Sequence, residues 1–232
     1  MSVPYVCMNM KTAASDIAKP RLSAKRIISA AAAVADRGGL EAVSMRTVAK
    51  QLGVEAMSLY YHVKNKEALL NALANWVVTQ FYVPDSTKNW REEMHRSAAS
   101  RRAVLTAHPW GIGMIESRGT AGMVVPRHHD AILGCLYSAF DVRMAAHAFS
   151  LLDAYIYGFI LTEVNLPFAP GEGHETEMAV ALDLDALPNM RRMVTELMVT
   201  GEYSYTAEFE IGLDLILDGL ERFAHEGIAQ SG

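Results

Sequence analysis

Six side chains in one short segment have the chemistry to contact a nucleic acid. Leu59 and Val63 are four residues apart, so in a helix both can face inward, with Val54 at the entry. The other positions from residue 56 to residue 62 then face outward. The outward set is Ala56, Met57, Ser58, Tyr60, Tyr61 and His62. This face has few charges but carries hydroxyl groups, aromatic rings and an imidazole, which suit base edges and phosphates in a major groove. The segment is predicted to contact DNA.

Two earlier helices are predicted to brace this segment. Ser23 can cap a first helix that ends at Gly38 and Gly39, and Ser44 can cap a short second helix. Gly53 lies where a left-handed turn is needed before the third helix, about residues 55 to 63. Two short helices that meet at a glycine turn are typical of a helix-turn-helix.

The segment from Arg46 to Leu70, with Leu52-Gly53-Val54 and the run from Leu59 to Leu70, resembles the signature of the TetR family of regulators. The resemblance implies that DNA is contacted by Arg46, Thr47, Ala56, Met57, Ser58, Tyr60, Tyr61, His62, Lys64 and Lys66. Within this set, Tyr60 and Lys66 are expected to hold phosphates. Ala56 stands where tetracycline-responsive members carry a base-reading glutamine, so the operator is expected to differ.

Charge is divided unevenly along the chain. Residues 1 to 66 carry 10 Lys+Arg against 4 Asp+Glu, a balance of +6, so the other 166 residues carry 11 against 22, or -11. This is the pattern of a basic module joined to an acidic body. We predict a flexible basic arm at 1–20, a helix-turn-helix domain at 21–66 and a ligand-binding and dimerisation domain at 67–232. Whether the arm contacts DNA stays open.

The fold class is predicted to be all-α, with about nine or ten helices. A connecting helix is expected from Asn65 to Phe81. Helical periodicity then predicts further helices near residues 90–107, 109–116, 126–140, 143–164, 187–199 and 207–225. Proline and glycine predict a loop that begins near Leu166.

A seam of apolar residues in the last helix indicates packing against another helix. Its members repeat at spacings of four and three, and a glycine lies beside them. The set is Phe209, Gly212, Leu213, Ile216, Leu220 and Phe223. The resemblance implies a homodimer built from this helix and the apolar segment from Ala145 to Leu161, and such a dimer would bind a palindromic double-stranded DNA operator. The alternative, that both segments are core of a single chain, stays open.

The resemblance also outlines a pocket for an unknown small-molecule effector. The implied residues are Tyr82, Ser97, Arg101, Trp110, Met114, Ile115, Arg118 and Thr162. Ile115 and Arg118 occupy two positions linked to magnesium in the tetracycline-responsive members, so no metal is expected. Tyrosine and arginine suit an anionic or polar aromatic ligand. His128, His129, Asp130 and His147 either line a pocket or lie at the surface, because no metal-ligand spacing repeats.

Other classes of protein find little support in the sequence. It has no His-Glu-x-x-His, no phosphate-binding glycine loop and no Gly-x-Ser-x-Gly, so an enzyme is not expected. No cofactor is predicted. The two cysteines are far apart in the sequence, and no secretory leader is recognised. The longest apolar run is shorter than the ~20 residues that span a bilayer. A cytoplasmic protein without a membrane partner is therefore expected. The expected function is a repressor released by its effector. An activator, or a ligand carrier with an idle DNA head, remains an alternative.

Overall fold

The computed structural model describes residues 21–118, 122–166, 184–198 and 203–229. Within these ranges the chain forms ten α-helices, short 3-10 and π turns, and no strand, which confirms the predicted fold class. The predicted arm at residues 1–20 and most of the loop predicted after Leu166 lie outside the described residues.

Three helices form the N-terminal unit, which we call the head. They are α1 (Ala24–Gly38), α2 (Met45–Leu52) and α3 (Ala56–Tyr60), with a 3-10 turn at Leu40–Ala42. The predicted caps are present, because Ser23 accepts the Arg26 amide and Ser44 accepts the Thr47 amide. Gly39 and Gly53 adopt φ of 68° and 66°, values that glycine reaches without steric cost.

Helix α4 (Lys66–Val78) links the head to the rest of the chain, which we call the body. Its first half contributes Leu69 and Leu73 to the core of the head, and its second half contributes Val77 and Val78 to the core of the body. The helix ends three residues before the predicted end at Phe81, whose ring still packs in the body core. One continuous helix therefore belongs to both hydrophobic cores.

The body consists of the remaining six helices. They are α5 (Trp90–Ala107), α6 (Gly111–Arg118), α7 (Val124–Leu136), α8 (Val142–Val164), α9 (Pro188–Met193), which continues into a π turn at Val194–Met198, and α10 (Tyr205–Ala229). Helices α5, α7, α8 and α10 surround a core that includes Leu105, Leu136, Ile160 and Phe209. Met114 of α6 instead packs into the core of the head, so α6 joins the two units.

Helix α8 agrees with the helix predicted near residues 143–164 and extends beyond the apolar segment from Ala145 to Leu161. Asp141 caps it by accepting the Met144 amide, and it continues for 23 residues. By length and composition alone it is the one helix of the described ranges that could cross a membrane, which is weak evidence because core helices of soluble proteins pass the same test.

Candidate DNA interface, effector site and dimer face

The third helix presents its polar face to solvent, as predicted. Leu59 and Val63 are buried in the head, whereas Met57 is 71% exposed and Tyr61 is 90% exposed. The helix is short and ends at Tyr60, but the His62 and Val63 amides both donate to the Leu59 carbonyl, so the following turn stays ordered. Tyr60 and His62 are exposed, whereas Ala56 and Ser58 are half-buried at the base of the face.

The remaining predicted DNA contacts surround this helix. Arg46 on α2 and Lys64 and Lys66 near the start of α4 are exposed. Asn65 caps α4 by accepting the Ala68 amide at 2.8 Å, which sets Lys66 in the first turn of a 13-residue helix. Thr47 is exposed, but its hydroxyl serves the cap of α2, because it accepts the Ser44 amide and lies 2.7 Å from the Ala42 carbonyl.

A buried carboxylate organises one side of the body. Glu93 is completely buried and accepts hydrogen bonds from the Tyr82 hydroxyl at 2.7 Å and the Asp85 amide at 2.9 Å. It also accepts a bond from the Arg96 guanidinium. The hydrogen bonds from the Asp85 amide and the Tyr82 hydroxyl hold the pKa of Glu93 below its usual value. Glu93 is therefore ionised and fixes Tyr82.

A buried serine and a buried arginine lie about one and two turns further along α5. Arg101 is 4% exposed, pairs through one Nη atom with Asp153 of α8, and lies over the Tyr157 ring with 4.7 Å between its Cζ and the ring centroid. Among the residues that the structure describes, its Nε atom has no hydrogen-bond partner, and neither has the Oγ atom of buried Ser97. Two buried polar atoms on the same face of α5 are therefore left unsatisfied.

His128 of α7 completes this group. Its Nε2 atom lies 3.2 Å from the carbonyl oxygen of Tyr82, and because a carbonyl only accepts, Nε2 carries the proton and donates. Burial and the neighbouring charge of Arg101 lower the pKa of His128 to about 4. Burial also lowers the pKa of His129. Both rings are neutral near pH 7.

We call this group the polar cluster, and it contains Tyr82, Ser97, Arg101, His128, Asp153 and Tyr157. The structure brings three of the predicted pocket residues together in it. Asp153 and Tyr157 were missed as site residues, although the position of Asp153 within an apolar run was the available signal. Glu93 was also missed, and its neighbours in the sequence give no indication that it is buried.

The other predicted pocket residues lie elsewhere. Met114 and Trp110 pack between α6 and the head, and Ile115 is buried in the core of the body. Thr162 is exposed and donates its hydroxyl to the Gly158 carbonyl. The side chain of Arg118 lies outside the described residues. Within the described part of the chain no group of three His, Cys, Asp or Glu residues could hold a metal.

A polar contact joins the head to the body. Asp36 at the end of α1 accepts the indole N–H of Trp110 at 2.6 Å, and the same carboxylate oxygen lies 2.7 Å from Nδ1 of His108. Trp76 of α4 packs against the rings of both His108 and Trp110. We call Asp36, His108 and Trp110 the clasp. It connects the C-terminal end of α5 to the head.

The predicted dimer seam on α10 is mostly core of its own chain. Phe209, Leu213 and Leu220 are buried against the body, where a second subunit cannot reach them. Gly212 lies against Tyr155, and a Cβ there would come within 2.2 Å of the tyrosine hydroxyl oxygen. Ile216 is half-buried, and of the six residues only Phe223 is strongly exposed, at 58%.

A different apolar surface is exposed on the same two helices. Ile211 and Leu215 of α10 are exposed, as are Leu151 and Leu161 of α8. Helix α10 carries apolar residues on both its inner and its outer side. Apolar residues spaced four and three apart in the sequence therefore do not show which side packs against the body. We call these four residues the outer face.

Comparisons with known proteins agree with this architecture. Residues 27–73 match the family model "Bacterial regulatory proteins, tetR family", and residues 83–223 match the "Tetracyclin repressor-like, C-terminal domain". An HTH-type transcriptional regulator of Saccharopolyspora erythraea is 32% identical over 62% of this chain and 62% of its own length. The repressor DrrR1 of Streptomyces coeruleorubidus is 28% identical over 88% of this chain and 78% of its own length. The class C tetracycline repressor of Escherichia coli is 28% identical, over 87% and 92%.

Solved structures give the same result. A possible TetR family regulator from Streptomyces coelicolor has a TM-score of 0.68 at 28% identity and covers 87% of this chain and all of its own. ActR from the same organism, in complex with (S)-DNPA, has a TM-score of 0.67 at 25% identity, over 87% of this chain and 98% of its own. The helix-turn-helix head and the helical body define a DNA-binding transcriptional regulator rather than an enzyme. The chain belongs to the TetR family.

Proposed function

We propose that this chain is a cytoplasmic repressor that binds a palindromic operator as a homodimer and leaves it when a small molecule occupies the polar cluster. The observation that carries the proposal is the exposed third helix, which buries Leu59 fully and is followed at once by Tyr61, 90% open to solvent. Within the described part of the chain, no hydrogen bond or ring contact explains why this aromatic side chain is held out on an ordered turn. A duplex groove is the matching surface.

The outer face supports the homodimer. Leu215 is 69% exposed, and α8, which carries Leu151 and Leu161, runs beside it. Exposed apolar side chains on two long helices that pack against each other are typical of a protein interface. A two-fold axis through this face would present two third helices, and these must lie about 34 Å apart to meet successive turns of DNA.

The polar cluster supports the effector site. It combines aromatic rings with two buried polar atoms that have no partner among the described residues, which is the composition of small-molecule sites. ActR, whose structure resembles this chain, was solved in complex with (S)-DNPA and with actinorhodin. The effector of this chain is a different question, because the residues of such sites set the ligand and the fold does not.

The clasp gives a physical route from the effector site to the DNA. Arg101 and His108 are seven residues apart around α5, which is about two helical turns on one face. An effector that binds Arg101 acts on α5, and His108 at the end of this helix contacts Asp36 of the head. Release then needs only a higher effector affinity for the arrangement that does not fit the operator.

Selection of bound fragments from genomic DNA tests the function. The purified chain is expected to enrich a palindrome and to prefer it over random duplex at raised salt, because nonspecific phosphate contacts weaken steeply with salt while base contacts persist. Equal binding to random and selected duplex at every salt concentration would contradict the proposal. A compound that occupies the polar cluster should then release the selected fragment.

A further inference from the structure

We infer that the polar cluster takes an uncharged aromatic compound whose carbonyl oxygen accepts hydrogen bonds from Arg101 Nε–H and Ser97 Oγ–H. This inference rests on the proposed effector site and adds the chemical class of the effector.

The two unsatisfied atoms define the hydrogen-bonding group. Arginine Nε–H can only donate, and the serine hydroxyl can donate as well. Both atoms are buried and have no partner in the described part of the chain, a state that is costly in a protein interior. Because Ser97 precedes Arg101 by one helical turn, the two donors share one face of α5. A carbonyl oxygen has two lone pairs, so one oxygen placed between the two donors can accept from both.

The charges around these donors decide against a carboxylate. The Arg101 guanidinium is already paired with Asp153, so its positive charge is offset. His128 donates to the Tyr82 carbonyl in a neutral form and adds no positive charge. A carboxylate ligand would bring a second negative charge beside Asp153 without an unpaired cation to meet it. A ketone supplies the hydrogen-bond acceptor without a negative charge. Of the anionic and polar ligands expected from the sequence, the uncharged polar ones are therefore favoured.

Aromatic rings surround the polar atoms and favour a flat ligand. Tyr157 lies under the Arg101 guanidinium, Phe81 packs edge-on against His128 at 5.3 Å, and Phe149 packs against His129 at 5.2 Å. Ring surfaces with a few fixed polar groups recognise aromatic compounds by stacking and edge contacts.

Four compounds that share one bicyclic skeleton test the inference on the full chain. They are 1-tetralone, tetralin, tetralin-1-carboxylate and 1-aminotetralin, titrated by saturation-transfer NMR. We expect 1-tetralone to bind at least tenfold more tightly than tetralin, the carboxylate or the ammonium compound. Equal binding of 1-tetralone and tetralin would show that no acceptor is recognised. Tightest binding by the carboxylate would overturn the charge argument.

Two variants test whether 1-tetralone binds at the Ser97 and Arg101 donors. Ser97→Ala is expected to weaken 1-tetralone at least tenfold while the chain unfolds at the same or a higher temperature, because the change removes a buried hydroxyl without a partner. Arg101→Lys keeps a positive charge opposite Asp153 but removes the Nε–H, and it is also expected to weaken the ketone. Ser138→Ala, at the exposed end of α7, is the control and should bind as the unchanged chain does.

The results separate this inference from the proposed function. Unchanged affinity of Ser97→Ala for 1-tetralone overturns the inference, and so does a lowered unfolding temperature, because Ser97 would then have a structural partner. Operator binding by Ser97→Ala without any compound is expected to equal that of the unchanged chain. If the unchanged chain shows no operator preference, the regulator itself is contradicted, whatever the ketone does.

Discussion

Trp110 donates its indole N–H to Asp36 across 2.6 Å, which fixes the start of α6 against the end of α1. The same carboxylate oxygen also faces His108, so one acidic side chain joins the loop between α5 and α6 to the head. The rings of Trp76 and Trp110 stack behind this contact. The head is therefore positioned by a hydrogen-bonded contact in addition to the shared helix α4.

Removal of the clasp should loosen the head and blunt the response to an effector. Asp36→Ala takes the acceptor from both Trp110 and His108, and we expect the free energy of unfolding to fall by about 1 kcal/mol, since the site is partly exposed. Chemical denaturation measures this change. Glu41→Ala, an exposed acidic residue of the head, is the control and should change little. An Asp36→Ala chain as stable as the unchanged chain would show that the clasp contributes nothing.

The outer face predicts a monomeric variant that still folds. Leu215→Glu places a charge on an exposed apolar position, so we expect a folded monomer by sedimentation together with lost operator binding. Leu213→Glu, two residues earlier and fully buried, should instead prevent folding. Val83→Glu, exposed elsewhere on the body, controls for the added charge. A dimeric Leu215→Glu chain would move the interface to another surface.

Ala56 predicts a change in base preference. The side chain is half-buried at the base of the recognition face and can offer only a methyl group to a base. Ala56→Gln introduces an amide able to pair with adenine, and we expect a new preference for adenine at one position of each half-site, worth about 1–3 kcal/mol. Repeating the fragment selection with this variant measures it. An unchanged selected sequence would place residue 56 away from the bases.

His128 predicts a loss of stability in mild acid. Its folded pKa of about 4 lies below the ordinary value of 6.5, so the unfolded chain binds a proton that the folded chain refuses. Stability linked to this group is fully present above pH 6.5 and falls as the pH drops towards 4. We expect up to about 3 kcal/mol more loss over this range in the unchanged chain than in His128→Gln. Equal pH profiles of the two chains would mean that His128 titrates normally when folded.

The sequence predicted the head well because its information is local. The caps at Ser23 and Ser44, the turn at Gly53 and the inward pair Leu59 and Val63 each depend on neighbours within a few residues. The positions of the helices in the body were predicted, but not which side of each helix is buried. Which side of α10 is buried depends on α5 and α8, more than forty residues away, and a repeat of four and three fits either side.

The polar cluster shows the same limit in more detail. Tyr82, Ser97 and Arg101 were identified through the family resemblance, because their positions on the scaffold are shared. Their partners were not, since the pair of Arg101 with Asp153 spans 52 residues and depends on the packing of α5 against α8. From the sequence alone, Arg101 was expected to be available to an anionic ligand. In the structure it is already paired with the carboxylate of Asp153, which changes the expected ligand.

DNA recognition by two copies of the third helix can be tested by titrating the selected genomic fragment with the unchanged chain and with Tyr61→Ala at raised salt. We expect two subunits per palindrome for the unchanged chain and at least a tenfold loss of affinity for the variant, whose fold should be intact because Tyr61 is 90% exposed. Equal affinity of the two chains, or one subunit per site, would contradict a recognition helix presented twice to DNA.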